Sequence, residues 1–170
     1  MKLRSEAFNE GRIDIRYGNL GSEDNMEYGI PQTSFPLEWE GAPAGTESFA
    51  IVFIDYDDVV DEGVPFIHWL VSDIDPDCYK LAEDSSREDP GYVQGHNSWC
   101  MPCEGYREIP GELTVRFGGP APEYEHEYEV WLFALDRRLG LSEGFYLNEM
   151  RRAMEGHILE TAVLKGRYGN

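Results

Sequence analysis

No stretch of this chain approaches the roughly 18 consecutive apolar residues that a membrane-spanning helix needs. Integral membrane association is therefore not expected. The opening residues, MKLRSEAFNEGR, have no apolar core of signal-peptide length, which predicts a cytoplasmic protein. Cysteine is scarce: there are three, an odd number without the regular spacing of a disulfide framework, so reduced thiols are expected. Basic residues are outnumbered, 14 against 33 acidic ones, for a formal net charge of −19. Such a surface repels phosphate backbones and argues against nucleic acid as a partner. The 170 residues suffice for one domain with a full core and are too few for two ordinary ones, so a single domain over 1–170 is expected.

What is present centres on Phe49 to Asp75, two apolar runs joined by an acidic loop. Ala50 to Ile54 and Val64 to Val71 are short, rich in β-branched and aromatic residues, and bounded by Gly and Asp, which predicts two buried strands. Polar groups there are costly, yet Asp55 and Asp57 sit where the first run ends and His68 interrupts the second. An unpaired buried polar group costs about 1–3 kcal/mol, so each needs a partner.

The remaining pattern is mostly β. Ile13, Ile15 and Tyr17 alternate with polar residues as in an edge strand, and Leu37 and Trp39 lie in a Pro- and Gly-broken segment that predicts a short strand. Pro76 to Gly95 reads as a long surface loop, and Leu113 to Phe117 alternates briefly. From Tyr124 the sequence YEHEYEVWLFALD turns Tyr124, His126, Tyr128, Val130 and Leu132 to one face and Glu125, Glu127 and Glu129 to water. Ser142 is placed to cap a helix near 143–155 carrying Leu147, Met150 and Met154, ended by Gly156, and His157 to Lys165 alternates as a last strand. About six or seven strands with one clear helix and no repeated strand-helix-strand units predict a mainly antiparallel β-sandwich.

Three constellations carry chemistry. Asp55, Asp57, His68, His126 and Tyr128 can converge on one pocket, where imidazoles bind an anion and a carboxylate fixes their tautomer. The alternatives are five separately satisfied core residues, or a metal site of two histidines and a carboxylate. No close His-x-His or His-x-x-x-His spacing supports the metal, and none is expected. Trp99-Cys100-Met101-Pro102-Cys103 matches the thioredoxin redox motif, but no strand-helix-strand pattern surrounds it, and a surface loop with two thiols is the expectation. Gly140-Leu141-Ser142-Glu143-Gly144 matches the hydrolase GxSxG, yet only His157 and no Asp follows it, and the helix-cap reading prevails.

Several motifs together resemble one family. Pro36-Leu37-Glu38-Trp39 is followed by Pro43, Thr46, Ser48 and Ala50; Asp55-Tyr56-Asp57 stands where the family has Asp-Pro-Asp; then come His68-Trp69, Gly118-Gly119-Pro120, His126-Glu127-Tyr128 and Ala134-Leu135-Asp136. The tail, from Leu147-Asn148-Glu149 through Met154 to Leu159 and Gly166-Arg167-Tyr168, completes a resemblance to the bacterial and archaeal branch of the phosphatidylethanolamine-binding proteins, from about Ile30 onward. The resemblance implies a β-sandwich with one or two peripheral helices and a small pocket for phosphate-like groups. Carried over by position, that pocket is Asp55, Asp57, His68, Gly119, Pro120, His126 and Tyr128.

It also implies a binding and regulatory protein rather than an enzyme, without a cofactor, acting in some members on kinases or proteases. The expected partners are a small anionic or zwitterionic phosphate-containing ligand and a protein, a second copy of this chain included. With His68 and His126 as donors, affinity for the anion is expected to rise as pH falls through the histidine range. Departures from the family are the loss of both prolines in Asp55-Tyr56-Asp57-Asp58-Val59, which predicts a more mobile rim, an acid at Glu127 where the family has Arg, and a divergent stretch from Ser98 to Val115.

Overall fold

The central strand explains the run of uninterrupted apolar residues. In the computed structural model, which describes residues 1–88, 91–102 and 108–170, Ser48–Asp55 is buried at every position. A strand covered on both faces has no reason to alternate. The described elements in chain order are β1 (Lys2–Arg4), β2 (Phe8–Asn9), β3 (Arg12–Ile13), β4 (Met26–Glu27), β5 (Ile30–Pro31), β6 (Leu37–Glu40), β7 (Ser48–Asp55), β8 (Phe66–Ile74), β9 (Lys80–Leu81), β10 (Val93–Gly95), β11 (His126–Leu135), α1 (Leu147–Met154) and β12 (Ile158–Tyr168). The fold is mainly β, with one α-helix among the described residues.

Seven strands form one sheet in the order β10-β8-β7-β11-β12-β3-β2. Every pairing in it is antiparallel except that of β12 with β3. Register shifts within the β7–β8 pair, between Phe49 and Ile51 and between Phe53 and Ile54, let the sheet curl. A three-stranded sheet, β1-β6-β9, supplies Leu3, Leu37, Trp39 and Leu81 to a core shared with Phe49, Ile51 and Phe53 of β7. On the opposite face Ala50, Val52 and Ile54 pack with Met150 and Met154 of α1. Phe35 is a hub of the first core, in edge contact with Phe8, Tyr17, Phe53 and Phe117 at ring separations of 5.0 to 6.0 Å. Each such fully buried ring contributes about 1.5–3 kcal/mol through burial.

Several local expectations are corrected. Ile15–Tyr17 is a 3-10 turn capped by the Asp14 carboxylate, which accepts from the Arg16 N–H, so the edge strand stops at Ile13. Gly111–Val115 is likewise a 3-10 turn rather than an alternating strand. The loop from Pro76 to Gly95 contains β9 and β10. Tyr124 is 43 % exposed, because it precedes the first paired residue of β11. Glu129, expected in water, is half-buried, accepting from the Trp131 indole at 2.8 Å. The helix begins at Leu147, not beside Ser142: the Glu149 carboxylate accepts the Tyr146 backbone N–H at 2.8 Å and closes its first turn. No helix among the described residues is long and apolar enough to cross a membrane.

Candidate functional site

Strand alternation builds one end of the first core into a polar floor. β7 lies between β8 and β11, and residues two apart share a face. Phe53 and Asp55, Phe66 and His68, and His126 and Tyr128 are such pairs, and Tyr128 is the register partner of Asp55. The Phe53 ring lies 5.1 Å from His68 and 5.8 Å from Tyr128, beneath both.

Asp55, 2 % exposed, gathers four donors from two segments. Its Oδ2 accepts the His126 Nδ1–H at 2.7 Å and its carboxylate also takes the Tyr128 hydroxyl. Its Oδ1 accepts the backbone N–H groups of Asp57 at 2.8 Å and Asp58 at 3.2 Å. Those last two bonds start the 3-10 turn Asp57–Val60 that forms the rim. Burial, together with the Asp55 charge, pushes the Tyr128 hydroxyl above its usual range.

The two histidines face different partners. His68 Nδ1 lies 2.6 Å from the Gly118 carbonyl oxygen. A carbonyl only accepts, so Nδ1 carries the proton and Nε2 is left as an acceptor. Burial lowers the His68 pKa to about 4, and the ring is neutral at physiological pH. The histidine-range titration expected of it is therefore displaced downward. His126 spends its Nδ1–H on Asp55, and its Nε2 stands 3.4 Å from Asp61 Oδ2, which already accepts the Tyr124 hydroxyl at 2.8 Å. Asp55, Asp58 and His126 bring ligand-type atoms within 4.8 Å of one another. Within this set the His126 Nδ1–H donates to Asp55 Oδ2 at 2.7 Å.

Between these groups lies a cavity of about 80 Å³, room for roughly two or three waters. Asp55, His68 and Tyr128 line it, as expected from the sequence, and His126 stands one hydrogen bond behind Asp55. Asp57 does not line it: its Oδ2 accepts the Glu127 backbone N–H at 2.8 Å and pins the rim to β11. Nor do Gly119 and Pro120 line it. The Gly119 N–H donates to the Pro31 carbonyl at 2.8 Å, and the Pro120 carbonyl accepts the Asn19 N–H at 2.9 Å. They back the wall that Ala121 and Pro122 present to the cavity.

Sequence reasoning missed Asp58, Phe66 and Trp99, which complete the lining. The two rings meet edge-on at 5.2 Å. Phe66 carried a signal, since it sits two residues before His68; Asp58 and Trp99 lie in turns and carried none. Asp58 changes the electrostatics most. Its Oδ2 is buried with no hydrogen-bond partner, and desolvation, followed by the Asp55 charge, raises its pKa to about 6. Among the described residues no Lys or Arg lines the cavity. A carboxylate about 4 Å from an anion, at an effective dielectric constant near 20, repels it by about 4 kcal/mol.

The thioredoxin-like motif is described only in part, because Cys103 lies outside the described residues. Ser98–Cys100 is a single 3-10 turn, and burial pushes the Cys100 thiol up, opposite to the activated thiolate that redox exchange requires.

A family model described as phosphatidylethanolamine-binding protein matches residues 4–169. The Bacillus subtilis protein YxkA is 34% identical over 150 residues, covering 87% of this chain and 89% of its own. A Methanothermobacter thermautotrophicus protein of the UPF0098 group is 34% identical over 173 residues, 99% of this chain and 98% of that one. Among solved structures, a putative phosphatidylethanolamine-binding protein homolog from Chlamydia trachomatis superposes with a TM-score of 0.77 at 30% identity, covering 99% of this chain and 97% of that one. Escherichia coli YbcL shares the fold, with a TM-score of 0.76 at 22% identity over 99% of this chain and 98% of that one.

Proposed function

Because the chain belongs to the phosphatidylethanolamine-binding protein family, we propose that it is a non-enzymatic binding protein whose cavity receives one end of a small phosphate-containing ligand of the phospholipid head-group kind. The observation that carries this reading is the Asp58 Oδ2, buried without a hydrogen-bond partner on a residue that lines the cavity. Native structures rarely leave such an atom unpaired, and a ligand is the economical explanation. The volume, about 80 Å³, is well below the several hundred Å³ of a site that engulfs a whole organic ligand, so only a terminal group enters.

The proposed role is binding rather than catalysis because the His126, Asp55 and Tyr128 side chains hold one another. Neither His126 nor Tyr128 presents its donor proton to the cavity. Any regulation of a protein partner, a kinase or protease included, would act through the exposed rim, where Tyr56, Val59 and Val60 reach solvent. Calorimetric titration with phosphoethanolamine tests the reading. Binding is expected to the wild type and not to Ala121→Phe, which fills the cavity wall; equal binding to both would place the ligand elsewhere and overturn it.

A further inference from the structure

We propose that the rim beside the cavity binds one divalent metal ion of the zinc class on His126 Nε2 and Asp61 Oδ2. The inference does not rest on the head-group reading, since neither residue lines the cavity. His126 is 2 % exposed, and its Nδ1–H is spent on Asp55 Oδ2 at 2.7 Å. An ionised carboxylate only accepts, so the ring proton is on Nδ1 and Nε2 presents a lone pair. That nitrogen is buried and has no hydrogen-bond partner. The atom it faces is another acceptor, Asp61 Oδ2, 3.4 Å away. Two acceptors repel across such a gap, and a cation bound to both makes the contact favourable.

The separation suits a metal. Zinc holds imidazole nitrogen and carboxylate oxygen at about 2.0–2.2 Å in a tetrahedron, which sets neighbouring donors about 3.3–3.5 Å apart. Both side chains are also braced as metal ligands are. Asp55 fixes the tautomer and ring of His126 in the carboxylate–imidazole–metal order, and the Tyr124 hydroxyl orients Asp61 by donating to its Oδ2 at 2.8 Å. Asp58 brings a carboxylate oxygen within 4.8 Å of a His126 ring nitrogen and is placed to supply a third donor, with water in the fourth position. The local field favours a cation, because Asp57, Asp58, Asp61 and Glu62 crowd one short segment. Among the described residues no Lys or Arg pairs with any of them or with Asp55, and the ion-pair partner that Asp55 and Asp61 do have is His126. An imidazole beside carboxylates selects zinc or cobalt over magnesium and calcium, which prefer oxygen alone.

Calorimetric titration of the full chain with zinc chloride, after EDTA treatment and dialysis, tests the site. One ion per chain is expected, bound at least about tenfold more weakly by Asp61→Asn and by His126→Gln. Asp61 is exposed, so its substitution leaves the core untouched and keeps the test valid should His126→Gln fail to fold. His157→Gln, which removes a second imidazole paired with a carboxylate, Asp136, is expected to change the affinity by less than about twofold. Cobalt(II) is expected to take the same position, with the visible bands of nitrogen and oxygen ligands and without the near-ultraviolet sulfur-to-cobalt band that the free thiols of Cys78 or Cys100 would give. Zinc is expected to raise the thermal midpoint of the wild type and not that of Asp61→Asn.

Zinc bound by Asp61→Asn as tightly as by the wild type, or a cobalt complex carrying the sulfur band, would place the ion elsewhere and overturn the proposal. The absence of saturable zinc binding up to about 1 mM would overturn it too, and would leave the contact between Nε2 and Asp61 to a proton. Phosphoethanolamine binding measured in EDTA is independent of all these results, so the two readings fail separately.

Discussion

Asp55 and His126 come from strands 71 residues apart in sequence and meet through Oδ2 and Nδ1 at 2.7 Å, both buried. The bond joins the end of β7 to the start of β11. Asp55 is also the acceptor for the Tyr128 hydroxyl and two rim N–H groups. Asp55→Ala would leave all four donors without their acceptor. We expect a loss of about 3–5 kcal/mol in urea denaturation at pH 7, and a smaller loss for Asp55→Asn, which keeps one acceptor oxygen.

His68 and Asp58 tilt stability in opposite directions on acidification. The folded pKa of His68 is lowered from 6.5 to about 4. Its contribution is therefore complete above pH 6.5 and is lost as pH falls toward 4, by about 3 kcal/mol. His68→Gln should remove that part of the pH slope in urea midpoints measured from pH 7 to 4. A wild-type slope unchanged by the substitution would contradict the burial argument.

Asp58 is the reverse case. Its folded pKa is raised from 3.8 to about 6, so its ionised form burdens the fold above pH 6 and its proton relieves it below. Asp58→Asn should be more stable than the wild type at pH 8, with the gain vanishing as pH approaches 4. Thermal midpoints of the two proteins across this range check the sign.

The rim should loosen without Asp57. Its Oδ2 holds the Glu127 N–H, and Asp57→Ala is expected to cost about 0.5–1.5 kcal/mol. Thermolysin cleavage near Val59 and Val60 should accelerate, while the cavity-lining groups stay in place.

Gly119 has no room for a side chain: an added Cβ would run into the Tyr17 carbonyl oxygen, with Pro31 2.8 Å away on another side. Gly119→Ala should destabilise by about 1–3 kcal/mol, read in urea denaturation, although the residue does not touch the cavity.

Much of this arrangement is legible in the sequence because strands have a period. The alternation from His126 through Leu132 placed His126 and Tyr128 inward, and β11 buries them. The two apolar runs around Phe53 and Trp69 predicted adjacent buried strands, and β7 pairs with β8. The resemblance to the family named seven residues, three of which reach the cavity. What escaped lies in turns. Asp58 faces the cavity because two N–H groups bend the chain onto Asp55, and no spacing announces that. Trp99 arrives from a 3-10 turn. The donor directions of His68 depend on the Gly118 carbonyl, 50 residues away, a long-range contact that no local pattern encodes.

β7 is buried on both faces, with one core on each side. Neither core can separate while the other retains that strand, so the two melt as one cooperative unit and the amides of Ile51 to Phe53 exchange with solvent through global opening alone. Asp55 ends this strand. The cavity thus has a floor that opens only when the whole sheet does, while its rim is tied down by three hydrogen bonds, two to Asp55 and one from the Glu127 N–H to Asp57.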